Sequence, residues 1–142
     1  MKHCSMVLAL MFAGVAFSGD NAKDIKAVEG KWVMKSAEIA GVKLPDEQVK
    51  TISLVLEGEK YTVNVGDKVD KGTVKIDATT KPKTIDIKGT DGPNKGKTML
   101  AIYELKDDTL RVCYDLTGKE RPKDFVSSKE QPFFLATYMR SK

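Results

Sequence analysis

Along most of the chain apolar and polar residues alternate with a period of two, and short polar or glycine-bearing clusters interrupt the alternation. Period two is the mark of strands with one face buried and one wet. It predicts eight strands, at 31–39, 52–57, 60–65, 71–77, 83–89, 97–105, 109–116 and 132–140. Between them "EGE" and "KDD" are short enough for hairpin turns, and "GDKVD" and "ATTKP" for short polar loops. "LPDEQVKT" predicts one helical turn, with Pro45 near its start and Asp46 and Glu47 in its first turn. The longest irregular segment, "TGKERPKDFVSSKEQ" at 117–131, has room for a short helix of its own.

Eight strands in succession, mostly hairpin-linked and without crossover helices, predict an all-β antiparallel meander. Closing the meander removes both sheet edges and buries one face of every strand. The expected architecture is therefore an eight-stranded up-and-down barrel with one or two short helical turns. A two-sheet sandwich is the rival that the strand pattern leaves open. Alternation places Ile52, Leu54 and Leu56 inward on one strand, and Tyr61, Val63 and Val65 on the next. Val74 with Ile76, and Ile85 with Ile87, continue the set; Thr84, Asp86 and Lys88 face water. The last three strands are apolar on both faces, which predicts an outer cover, supplied by the short helical segments.

The first 18 residues do not follow this pattern. Lys2, an apolar run from Val7 to Phe17, and small residues ending in Ala16-Phe17-Ser18 come in signal-peptide order. The run is shorter than the roughly 20 apolar residues of a permanent span. The expected organisation is a signal peptide at 1–18, a polar linker at 19–27 and a barrel domain at 28–142, in an exported protein, periplasmic or secreted, with no stable membrane span after cleavage. Removing 18 of the 142 residues leaves 124, enough for one domain with its own core. The formal net charge falls from +4 to +3 with the loss of Lys2. His3, the one histidine, is lost as well, and of the two cysteines Cys113 stays as a lone thiol unable to form an internal disulfide. In "TLRVCYDL" that thiol reads as a buried strand residue. A modest charge spread among alternating signs is an ordinary solvated surface and predicts no nucleic-acid partner.

Candidate chemistry is sparse. "DGPNKGKT" ends like a phosphate-binding loop, but Asp91 stands where the first glycine belongs, Pro93 removes an N–H, and an alternating run follows where a helix is needed. It reads as a turn, and no nucleotide is expected. Without histidine the mature chain has no Ser-His-Asp or Cys-His device and lacks the commonest transition-metal ligand. "DGPN" does not repeat oxygen ligands as a calcium loop does. Asp107-Asp108 and Asp46-Glu47 are adjacent residues that point apart, so neither is an acid–base pair across a substrate. No enzyme, metal or cofactor is expected.

Gly30 and Trp32 open the first strand, and Arg140 ends the last. In a closed meander these strands are neighbours, so the indole can plug the base of the barrel with the guanidinium stacked on it, a closure worth about 0.5–2 kcal/mol beyond burial. Gly30-x-Trp32 with Arg140 resembles the lipocalin-type signature of calycin barrels. Through "LEGEKYTV", "KPKTIDI", "GPNKGKTMLAIYEL", "DTLRVCYDL" and "GKERPKDF", covering roughly 28–140, the chain more closely resembles an uncharacterised family of small exported lipocalin-like domains from planctomycete bacteria. The resemblance implies a barrel and export and carries no established activity. The chain departs from true lipocalins in its shortness, its missing disulfide and the lack of a second motif in its later loops.

A barrel of eight strands is either filled by its own side chains or holds one small ligand. The leading expectation is a non-catalytic envelope protein binding a small apolar molecule. Met34, Leu54, Leu56, Tyr61, Val63, Ile85, Ile87, Tyr103 and Tyr114 are the candidate lining, and the tyrosines supply orienting hydroxyls. The alternative is a filled barrel acting as an interaction or inhibitor-like module on an envelope protein, through Lys119, Arg121, Pro122, Lys123 and Phe125 of loop 117–131. Cavity volume separates the two: an enclosed apolar cavity of about 300 Å³ or more favours the carrier, and a solid interior favours the interaction module.

Overall fold

The computed structural model describes residues 19–141; the expected signal peptide lies outside them. Helix α1 (Gly19–Val28) leads into β1 (Gly30–Ile39), a two-residue strand β2 (Val42–Lys43) and one helical turn, α2 (Asp46–Val49). Seven strands follow: β3 (Ile52–Glu57), β4 (Lys60–Val65), β5 (Lys68–Asp77), β6 (Lys83–Asp91), β7 (Thr98–Lys106), β8 (Thr109–Asp115) and β9 (Phe133–Arg140). From β3 to β9 each pairs antiparallel with the next, and β1 pairs with both β3 and β9. The result is a closed eight-stranded antiparallel barrel with β2 appended at one end. The open sandwich is excluded by the β1–β9 pairing. No helix among the described residues is long and apolar enough to cross a membrane.

Closure depends on a bend. The first half of β1, Gly30–Val33, pairs with Leu56–Ser53 of β3. Between Met34 and Ser36 the register with β9 slips, and from Ser36 to Ile39 the strand continues along Thr137–Phe134. A bulge of this kind curves a strand and increases its twist. It carries β1 away from β3 near the barrel mouth, where the α2 turn follows and buries Val49.

Three expectations need correction. Residues 19–27 are not a linker but most of α1, whose residues 21, 24, 25 and 28 share one face at helical spacing. Asn21 Oδ1 accepts from the Ala78 N–H at 2.8 Å; Asp24 accepts from the Tyr103 hydroxyl at 2.6 Å and pairs with Lys83 at 3.0 Å. Ile25 and Val28 pack on the core. Second, "GDKVD" is not all loop, because β5 begins at Lys68. Third, the outer cover of the last strands is not helical. Ile102, Cys113 and Phe133 form a separate outward cluster closed by Phe125 and Val126 of the irregular loop 117–131. Burial pushes the Cys113 thiol above its usual range, against the milder influence of the Val126 backbone and Arg111.

The base of the barrel is sealed where sequence placed Trp32 and Arg140. Trp32 is fully buried, and the Arg140 guanidinium lies 4.4 Å from its ring centre. The two side chains also finish α1, whose last carbonyls have no partners within the helix. Arg140 donates to Ala27 O and Glu29 O, both at 2.7 Å, and Trp32 Nε1 donates to Val28 O at 2.9 Å. Gly30 has φ +131°, and a Cβ there would stand 3.0 Å from the Arg140 guanidinium. The glycine thus serves both the backbone turn and the arginine's seat.

At the loop that follows β8, Asp115 is buried and accepts from the Thr117 N–H at 3.0 Å, from the Thr117 hydroxyl at 2.8 Å and from the Glu120 N–H at 3.3 Å. Burial pushes its carboxyl up, but the hydrogen bonds from Thr117, Glu120 and Lys119 outweigh it and hold it below the usual carboxylate range.

Trp32→Ala should destabilise by about 3–5 kcal/mol in denaturant melts, as a large core truncation does. Arg140→Ala should cost less, about 1–3 kcal/mol, and Arg140→Lys should not restore it, because an ammonium cannot stack and reach two carbonyls together. A folded-state pKa lowered at Asp115 gives stability that is present above the unfolded value and lost as pH falls through the folded one. The gap between wild type and Asp115→Asn should therefore be full above about pH 4 and close in more acid melts.

Candidate functional site

Opposite the sealed base, the barrel opens. A narrow interior cavity of about 80 Å³ runs between the inward faces of the strands, and a wider pocket of about 300 Å³ forms the mouth. The two share Val63, Asp70, Asn94, Tyr114 and Tyr138, so they adjoin across these side chains.

Every candidate lining residue faces one of these spaces. Leu54, Leu56, Tyr61, Ile85, Ile87 and Tyr103 line the interior; Met34 lines the mouth; Val63 and Tyr114 line both. They are not equivalent. Tyr103 sits at the closed end with its hydroxyl already donated to Asp24, so it is part of the base. Leu54, Leu56 and Ile85 belong to the buried core. Tyr61 and Met34 are core residues as well, so Val63 and Tyr114, half-buried and lining both spaces, are the ones a ligand would meet first.

The polar centre of the mouth is Asp70 on β5, which is 8% exposed. Its Oδ2 accepts from the Tyr61 hydroxyl at 3.1 Å and from Asn94 Nδ2 at 2.9 Å; its Oδ1 takes one long bond, 3.3 Å, from the Asn94 N–H. None of the ion pairs among the described residues includes it. Burial, followed by the charge and hydrogen bond of Asp70, holds the Tyr61 phenol well above its ordinary range. Tyr114 is raised by burial and then by Asp70, and Tyr138 by burial and then by Tyr114. All three therefore keep their hydroxyl protons at any physiological pH.

Local backbone geometry makes this arrangement possible. At Gly72, opposite Tyr61 in the β4–β5 register, a Cβ would run into the Lys88 carbonyl and stand 2.6 Å from Tyr61 Cε2. The bare backbone leaves the phenol ring room to lie along β5 and reach Asp70. The segment that mimics a phosphate loop is the other support. It folds back at the mouth through Gly96 N–H to Gly89 O and Gly89 N–H to Lys97 O, both at 2.9 Å, and Lys97 N–H to Asn94 O at 2.9 Å. That fold presents Pro93 and Asn94 to the pocket.

Sequence reading missed Asp70, Asn94, Tyr138 and Phe134. Asp70 fell in a segment read as loop, and Asn94 in one read as a bare turn. Tyr138 and Phe134 stand on β9, where both faces are apolar and alternation gives no side. Alternation at Lys68-Val69-Asp70, carried back from Val74 and Ile76, was the available signal for Asp70. Loop 117–131 is anchored on the barrel wall: Arg121 donates to Ala101 O at 2.8 Å and pairs with Asp86 at 2.6 Å, Pro122 is buried, and Phe125 lies under Arg111 at 4.3 Å. Lys119 and Lys123 of the same loop are exposed.

Comparison with known proteins finds no matching family, curated protein or solved structure.

Gly72→Ala should disturb the Tyr61–Asp70 contact and destabilise the fold by about 1–3 kcal/mol, through overpacking against a carbonyl that cannot move freely. Thermal melts of Gly72→Ala against wild type check the assignment, and an unchanged melt would sink it.

Proposed function

We propose that this chain is an exported, non-catalytic, lipocalin-like binding protein that holds a small, largely apolar molecule at the mouth of its barrel. The observation that carries the reading is the mouth pocket of about 300 Å³, which adjoins an apolar interior closed below by Trp32 and α1. The mouth pocket is open to solvent, and the enclosed interior, at about 80 Å³, falls well short of the usual range for small-molecule sites, about 300–1,000 Å³. The ligand's bulk therefore rests in the mouth and only a slim apolar part enters the barrel. Support for export comes from the charge, apolar run and small residues in order at 1–18. Support for the lipocalin-like relationship comes from Gly30, Trp32 and Arg140 around a closed meander.

The narrow interior favours a second reading, a filled barrel that works through its surface on an envelope protein. Of the five loop residues that would serve it, Arg121, Pro122 and Phe125 are already packed against the barrel, leaving Lys119 and Lys123.

Native mass spectrometry of protein purified from its host's envelope fraction should show a reproducible added mass that organic extraction removes. Val63→Trp, which fills the junction of mouth and interior, should abolish the added mass while leaving the melt cooperative. A bare mass in the wild type, with no uptake of small apolar dyes, would overturn the carrier reading in favour of the filled barrel.

A further inference from the structure

The mouth sets a carboxylate, which an apolar site does not need, beside an aromatic wall that would serve an apolar ligand or a cation. The carboxylate is Asp70, placed at the junction of the two cavities and not ion-paired among the described residues. In the wall, Tyr114, Phe134 and Tyr138 line the same pocket, with the Tyr114 and Phe134 ring centres 5.3 Å apart. A buried carboxylate is costly unless its charge is met by donors or a cation. Tyr61 and Asn94 supply three donors, two of them to Oδ2, which leaves Oδ1 with a single bond of 3.3 Å. A carboxylate accepts at about four lone-pair positions, so three donors leave Asp70 with acceptor capacity on hand, Oδ1 lying beside Gly92 and Asn94.

Resting on the carrier reading, we propose that the ligand is a small organic ammonium, an amine with a compact apolar body. Its N–H groups meet the Asp70 carboxylate, and its cation lies against the aromatic wall. The chemistry agrees on both counts, since a desolvated ammonium gains from a carboxylate and from aromatic faces together. The apolar body fits the mouth beside Met34 and Val63. Lys68 stands on the rim of the same pocket and is exposed. Its charge opposes a cation and favours an anion, so the sign of the preferred ligand is a real discriminator.

The test uses three probes of nearly one shape, benzylamine, benzyl alcohol and benzoate, titrated into the isotope-labelled protein and followed by amide chemical shifts. Benzylamine should shift Asp70, Asn94 and Tyr114 and bind at least about tenfold more tightly than benzyl alcohol, a preference worth one factor of ten in Kd. Asp70→Asn should remove that preference, and the comparison of probes on the wild type stands even if the variant folds poorly. Benzyl alcohol binding at the mouth as well as benzylamine would overturn the ammonium assignment and leave the apolar-carrier reading in place. Preference for benzoate would overturn it in favour of an anion at Lys68. Failure of all three to shift the mouth at millimolar concentration would overturn the assignment and the carrier reading together.

Discussion

The pairing of β1 with β9 is the constraint on which the molecule depends. A meander of eight strands has two edges until its ends meet, and here they meet with β1 bent by a bulge so that it can leave β3 and follow β9. Trp32 and Arg140 lie on those two strands in register with each other. Their side chains then do a second task, accepting the end of α1 onto the base. One contact thus joins sheet closure, core burial and helix termination. None of the three would be complete without the others: the helix would end on bare carbonyls, the indole would meet water, and the last strand would lose its anchor.

The closed base organises the opposite pole. Because α1 and Trp32 occupy one end, the barrel opens only at the other, beside Tyr114, Phe134 and Tyr138. There the folded-back segment 92–97 supplies Asn94 to Asp70, and Gly72 gives Tyr61 its path. A carboxylate inside a barrel of apolar side chains is a local departure from the logic of the core. It is held by donors from β4 and from the 92–97 segment, so it also ties that segment to the wall.

Much of the barrel was legible in sequence because alternation is a local property. Val74 and Ile76 against Lys75, or Ile85 against Asp86, declare a face without reference to any other strand. The Trp32–Arg140 contact was legible for a different reason: chain topology alone makes first and last strands neighbours. What escaped reading depends on partners distant in the chain. Helix α1 has only Ile25 and Val28 as apolar contacts, too few to outweigh a polar composition; Asn21 and Asp24 reveal their purpose only beside Ala78 and Tyr103. Asp70 and Asn94, 24 residues apart, are joined by the fold and by nothing in their own surroundings. The outward cluster of Ile102, Cys113 and Phe133 was anticipated as a covered face, yet its cover is an irregular loop whose apolar residues, Phe125 and Val126, show no period.

A barrel sealed at one pole is a cup rather than a tube. On the carrier reading proposed above, an occupant leaves by the path it entered, so loading and unloading cross one barrier and a change to the rim alters both rates together. Asn94, which stands at that opening and also holds Asp70, belongs to the rim and to the wall at once.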